Sequence, residues 1–485
     1  VAALNRRGLL AATLALPGAA RGQVPATEQL IAPATFFNPT NDRIAEAFAT
    51  IAFGGDAEAG APARTRLQRF RTPMRIAALG EDAARHASWV ARHAAHLSRL
   101  TGQRIELAEP AQANVILLLT PDARRFLRSG GQRAMLTRMF GGEAALDGFL
   151  GAIEPTQGGL LTPAFERGRP HDIVGGLVLI PTGRDPALIW GAIVEELTQL
   201  LGLLGDDDRV AWSVFNDNSP YVDLTEPDRW LVRLLYDRAI RPGMTRPEAL
   251  RAAQAAMRRL RPSGVMDGPL LPDLAPTDAD VVEAFLALGF ADGRARLARW
   301  SDAVRVRVLT DAASAPYASW AGAQVGHLAF LTRHAIEATA GEANLHVVIA
   351  RDPAAMRGAL APTGLLPDFD RELARGPAPA FRVTAFADAE RTRPRAAIVF
   401  IRGDAPSPRI WAGLVAQTSR ALGAFGSDDR LEGSSFRTAL PPIDLAPLDQ
   451  RVLRLLYLSA LRPGMTRDEA RAAAQRAVGL SRIAP

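Results

Sequence analysis

The stretch from Ile193 to Asp206 reads I-V-E-E-L-T-Q-L-L-G-L-L-G-D and holds the most suggestive polar groups of the chain. Glu195 and Gln199 stand four residues apart, which on a helix places them on one face beside Glu196. Their neighbours are Ile, Val and Leu, so a narrow polar stripe is set into an otherwise apolar helix. With Asp206, these carboxylate and amide oxygens are the hard donors that a divalent cation takes, and a glutamate among them could serve as a general base. Gly202, placed inside a helix running from Pro186 to Leu204, would cost about 1 kcal/mol relative to alanine. The plainer alternative is that Glu195, Glu196 and Gln199 form the solvated stripe of an amphipathic helix.

Other residues invite weaker readings. Asp206, Asp207 and Asp208 follow the helix C-terminus, where acids are electrostatically unfavourable, and could offer oxygens to calcium. Asp207-Asp208-Arg209 recurs as Asp428-Asp429-Arg430, which favours an Asp–Arg structural turn. His93 and His96 lie three apart on a helix, a spacing open to a metal, but the counterpart of His93 is Gln324, so core or helix-surface histidines are favoured. Met244 and Met465 sit in Arg-Pro-Gly-Met-Thr before a capped helix and read as buried methionines of an interhelical turn. Cysteine is absent, which removes disulfides, thiolate metal sites and a cysteine nucleophile. No phosphate loop, nucleophile elbow or dinucleotide fingerprint stands in a credible strand–turn–helix setting.

The elements that must position these groups occur twice. Trp190 matches Trp411, Leu201-Gly202 matches Leu422-Gly423, Phe215 matches Phe436 and Asp228 matches Asp449, at a constant offset of 221. Arg241 to Arg246 reappears unchanged as Arg462 to Arg467. Upstream, Ala87-Ser88-Trp89 and His96-Leu97 recur as Ala318-Ser319-Trp320 and His327-Leu328. Within the first copy, Met74 to Leu79, Ile105 to Ala108, Val115 to Leu119 and Gly176 to Ile180 read as strands. Helices are expected over Asp82 to Leu100, Pro186 to Leu204 and Arg229 to Asp237. Thr245 with Glu248, and Thr466 with Glu469, form capping boxes for a last helix. The order β-α-β-β-β-α-α predicts an α/β (α+β) sandwich. Asn114 to Trp190 spans 76 residues against 67 for Asn344 to Trp411, and the excess, with Ser129-Gly130-Gly131 and Gly158-Gly159, reads as a surface loop. Domain limits fall at 41–262 and 278–485, with a Pro-rich linker at 263–277.

The spacing of Glu195, Glu196, Gln199, Gly202 and Gly205 resembles the metzincin zinc-peptidase motif H-E-x-x-H-x-x-G-x-x-H. The likeness to the matrixin branch continues through Ser213-Val214-Phe215, Leu224-Thr225, Asp228 and Leu235-Tyr236. The chain also resembles a proteobacterial domain-of-unknown-function family, number 2927, through Glu196, Gln199, Leu201-Gly202-Leu203 and then Leu235-Tyr236 and Pro242-Gly243-Met244. The resemblance implies two tandem zincin-like sandwich domains, each a mixed sheet with a long helix carrying a degenerate zinc motif. The family's histidine positions hold Glu195, Gln199 and Gly205; only the general-base position is retained, as Glu196. Phe215 replaces the Met-turn methionine. In the second copy the same places hold Ala416, Gln417, Arg420 and Gly426. The seven histidines all lie elsewhere, so no zinc or other cofactor is expected and an inactive domain is the favoured reading.

All 57 basic residues are arginine, and they are scattered among 51 acids with no basic run, which argues against nucleic-acid binding. Asn5-Arg6-Arg7 followed by a core of about a dozen apolar residues resembles a secretory signal over 1–22, with 23–40 as a leader. The paired arginines resemble a twin-arginine signal; an ordinary signal carrying two arginines is the alternative. No later segment supplies the roughly 18 apolar residues of a membrane span. The expectation is a periplasmic tandem pseudo-peptidase of a Gram-negative bacterium that binds a peptide, protein or envelope component. Two alternatives stand beside it: a metal-dependent hydrolase in the first copy using Glu195, Glu196, Gln199 and Asp206, and a purely structural envelope protein.

Overall fold

The computed structural model describes residues 39–54, 63–122, 159–207, 221–262, 276–291, 293–376, 378–423 and 445–482, with shorter pieces between them. The expected signal and leader (up to residue 38), Asp208, Ser129-Gly130-Gly131, Gly158 and most of the linker lie outside the described residues. Residues 39–262 and 276–482 fall in separate compact units.

The first unit runs α1 (Asn41–Phe53), β1 (Arg69–Phe70), β2 (Met74–Leu79), α2 (Ala83–Thr101), β3 (Ile105–Leu107), β4 (Val115–Thr120), β5 (Leu160–Glu166), β6 (Arg169–Pro181), α3 (Pro186–Gln199), α4 (Glu226–Leu235) and α5 (Arg246–Leu260). The sheet order is β1-β6-β4-β2-β3, with β5 on the other side of β6. All pairings are parallel except β5 with β6. Every residue of β4 is buried, as expected of a central parallel strand covered on both faces. Pro163 within β5 is compatible with an edge strand, where a missing N–H leaves no ladder bond unmade.

The second unit repeats the plan: α6 (Asp278–Gly289), β7 (Val304–Thr310), α7 (Ala318–Thr332), β8 (Ile336–Ala338), β9 (Leu345–Ala350), α8 (Leu366–Ala374), β10 (Ala380–Phe386), β11 (Pro394–Arg402), α9 (Ser407–Gly423), α10 (Pro447–Tyr457) and α11 (Arg467–Ala477). Its sheet order is β10-β11-β9-β7-β8, again with one antiparallel pair, β10 with β11. The mixed α/β architecture expected from the element order is therefore present twice. Leu160 pairs with Leu179 and Phe381 with Phe400, so the offset of 221 extends back to the start of the edge hairpin. The length difference between the copies falls between their third and fourth principal strands, before that hairpin. In the second unit this connection carries α8, whose Phe369 packs with Val348, Val383 and Phe400 in a small core.

Three expectations need correction. The helix predicted to reach Leu204 ends at Gln199. Gly202 is thus not a helical glycine: its φ is +127°, and a Cβ there would lie 2.3 Å from the Gln68 carbonyl oxygen. It allows close approach of backbone to backbone beside β1, where Phe70 N–H donates to Leu201 O at 2.9 Å. Gly159 is not a surface-loop residue but buried, immediately before β5. Met244 and Met465 occupy the expected turns but are only half-buried.

Candidate functional site

Asp185 caps α3 by accepting from Ala187 N–H at 2.8 Å, and Pro186 fits the first turn. Trp190, Ile193, Val194 and Leu197 then fix one side of the helix in the core. This anchoring separates the two glutamates. Glu195 is half-buried beside Arg184, whose guanidinium is held below its ordinary value by burial, with Glu195 acting in the opposite sense. Glu196 is 2% exposed and lies under Gly159, where a Cβ would come within 2.2 Å of its Oε1. The two acids therefore share neither an environment nor a solvated stripe.

Gln199 and Asp206 do meet. Gln199 is buried, and its Nε2 donates to Asp206 Oδ1 at 2.5 Å. Asp206 is also felt by Arg64, a largely buried guanidinium lowered by desolvation that donates to the Gly54 carbonyl. In the second unit Arg420 donates to Ser427 Oγ at 2.5 Å, the same pair of positions with different side chains. The link from the end of the helix to the following loop thus survives a complete change of chemistry.

Gly205, six residues beyond Gln199, has its backbone against α1. Its N–H donates to Ile51 O at 2.9 Å, and a Cβ would lie 2.7 Å from Gly54 Cα. Gly426 donates in the same way to Leu288 O at 3.0 Å. Asp207 accepts from the Arg209 backbone and guanidinium at 2.9, 2.8 and 2.7 Å, and Asp428 accepts from Arg430 at nearly identical distances. These are Asp–Arg turns.

Asp228 is fully buried and accepts from Ser213 Oγ (2.6 Å), Val214 N (3.1 Å), Thr225 N (3.0 Å) and Thr225 Oγ1 (2.8 Å). Burial pushes its carboxyl up to about 6 against these donors. Asp449 repeats the arrangement with Ser434 and Ser435 and is likewise pushed up to about 6. Phe215 is buried, and its carbonyl accepts from Asp207 N–H at 2.9 Å, so this network also fixes the loop beyond the helix.

His93 and His96 are not arranged as a metal pair: His93 is buried with Nε2 on Thr198 Oγ1 at 3.1 Å, and burial pushes it down to about 3. Among the described residues no group of three or more His, Asp or Glu is placed to hold a metal ion. No described helix is long and apolar enough to cross a membrane.

One recurrence escaped the sequence reading. Arg64-x-Arg66-Leu67-x-Arg69-Phe70 matches Arg294-x-Arg296-Leu297-x-Arg299-Trp300. Arg66 and Arg296 donate to Gly243 O and Gly464 O at 3.1 and 2.9 Å. Arg69 donates to Leu235 O and Ile240 O, both at 2.9 Å, and lies over Tyr236; Arg299 does the same with Leu456 O, Leu458 O and Tyr457. The motif clamps the Arg-Pro-Gly-Met turn, and comparing the copies over a longer stretch would have found it.

Fold and site together define a duplicated mixed α/β domain whose second copy varies the polar residues of the first. The chain belongs to the family described as Protein of unknown function (DUF2927), which matches residues 41–255 and 278–476. Comparison with curated proteins and with solved structures gives no match.

Proposed function

We propose that the chain is an exported tandem pseudo-peptidase: two zincin-like domains without zinc ligands that bind a peptide, a protein partner or an envelope component. The observation that carries this is the engagement of the motif positions in the fold itself. Gln199 is tied to Asp206, Gly205 has no side chain and no room for one, and Glu195 lies beside Arg184. Catalytic zinc takes three protein ligands and an open fourth position that lowers the pKa of bound water. This donor set does not fit zinc.

A peptide finds a natural surface at β5, which hydrogen-bonds to β6 on one side and to no described strand on the other. Strand addition at such an edge draws affinity from main-chain hydrogen bonds. Retention of Glu196 in the first copy is what favours the second reading, a metal-dependent hydrolase confined to that copy. Peptide hydrolysis by the purified mature chain, abolished by Glu196→Ala, would overturn the first reading; saturable peptide binding without turnover supports it.

A further inference from the structure

Where α2, α3 and α4 meet, the first unit buries polar groups that its own fold leaves unanswered. The Thr198 hydroxyl donates to Val194 O at 2.6 Å, so it accepts from His93 Nε2–H at 3.1 Å. His93 Nδ1 is thereby an acceptor, buried in a side chain 1% exposed, and it has no partner among the described residues. Trp190 Nε1, Arg229 Nε and Glu226 Oε1 are likewise buried and without a hydrogen-bond partner among the described residues. Buried polar atoms are nearly always paired, so four orphans in one junction call for an explanation.

The remaining parts of the junction suggest what would answer them. Trp89 meets Trp190 edge-on with centroids 6.0 Å apart, and the Arg92 guanidinium lies 5.7 Å from the centroid of the Trp190 ring. Arg229 pairs with Glu226 at 2.8 Å. The charges of Arg92 and Arg229 both reach His96 and Asp223. The second unit serves as an internal control. It keeps the indole frame, with Trp320 and Trp411 at 6.1 Å, but has Ala323, Gln324, Pro447 and Gln450 where the first has Arg92, His93, Glu226 and Arg229. The frame itself therefore needs none of these four. Gln324 Oε1 is also buried without a hydrogen-bond partner among the described residues, so what sets the first unit apart is the charged set Arg92, Glu226 and Arg229 around His93.

We propose that this junction of the first unit is a binding site for a small carboxylate bearing a hydrogen-bond donor beside it, of the free amino-acid class. The indole N–H of Trp190, Arg229 Nε–H and the Arg92 guanidinium suit the carboxylate; His93 Nδ1 and Glu226 Oε1 suit the ammonium group. The two tryptophans supply the apolar walls that strengthen such contacts. The site uses none of Glu195, Glu196, Gln199 or Asp206, and so stands apart from the pseudo-peptidase reading.

The test is thermal unfolding of the full chain against a panel of free L-amino acids at neutral pH, with acetate and methylammonium as half-ligand controls. The expected result is a saturable rise in Tm with at least one amino acid and with neither half-ligand. That rise should vanish in the double variant His93→Gln, Arg229→Gln, which carries the side chains the second unit uses, and in Arg92→Ala at an exposed position. Unchanged far-UV circular dichroism checks that the variants fold. No rise with any amino acid, an equal rise with acetate alone, or a rise that persists in both variants would overturn the proposal.

Discussion

Asp228 and Asp449 are equivalent buried carboxyls whose titration is displaced upward in both copies. Each is pushed up to about 6, above the ordinary carboxylate value, so the folded state binds more protons than the unfolded state between about pH 4 and 6. Their contribution to stability is fully present below that window and is lost as pH rises through it. Urea midpoints measured from pH 4 to 7 should show this component, and Asp228→Asn should remove half of it. Asp228→Ala should cost about 3 kcal/mol, because the donors of Ser213, Val214 and Thr225 would be stranded. The residues at the motif positions make a sharper case. Placing a histidine there by Gly205→His would press a side chain into Gly54 and Ile51 and should destabilise the first unit by about 2–3 kcal/mol, with no gain in zinc affinity. Equilibrium unfolding and a zinc titration of that variant check both halves. Sequence spacing placed Gln199 and Asp206 within reach of each other but could not separate Glu195 from Glu196. That separation comes from the way the core anchors α3, which brings Glu196 under Gly159, a residue distant in sequence.

At the level of elements, the clamp formed by Arg69 and Arg299 is the least expected feature. Each guanidinium answers one carbonyl at the end of the helix and one just past it, and lies over the tyrosine of the Leu-Tyr pair. Arg69→Met should cost about 2–3 kcal/mol by leaving those carbonyls without their donor, and Arg69→Lys should rescue only part of it. Urea denaturation of the two variants measures the difference. The strands β2 and β4, the helix α2 and both last-helix capping boxes were legible because alternation, helical spacing and cap residues are local signals. The end of α3 was not: Leu200 to Leu204 continues an apolar helical pattern, and only the left-handed turn at Gly202, forced by contact with Gln68, stops it. The edge strands β5 and β10 were missed because half-buried edges lack clean alternation.

For the whole molecule, duplication is what makes the polar sites interpretable. Features kept in both copies, such as the buried aspartate, the Asp–Arg turn, the arginine clamp and the edge-on tryptophan pair, belong to the framework. Features that change, such as Gln199 with Asp206 becoming Arg420 with Ser427, are not needed for folding. Each unit has its own sheet and buried core. Residues 39–262 expressed alone should therefore unfold cooperatively, which calorimetry would show as a single transition. The proposal that Glu195, Glu196, Gln199 and Asp206 of the first unit hold no catalytic metal is tested most directly by metal content. The purified chain would be dialysed with zinc, calcium and manganese, desalted, and analysed by mass spectrometry. No stoichiometric metal is expected; a retained ion that is lost on Glu195→Ala would contradict the proposal.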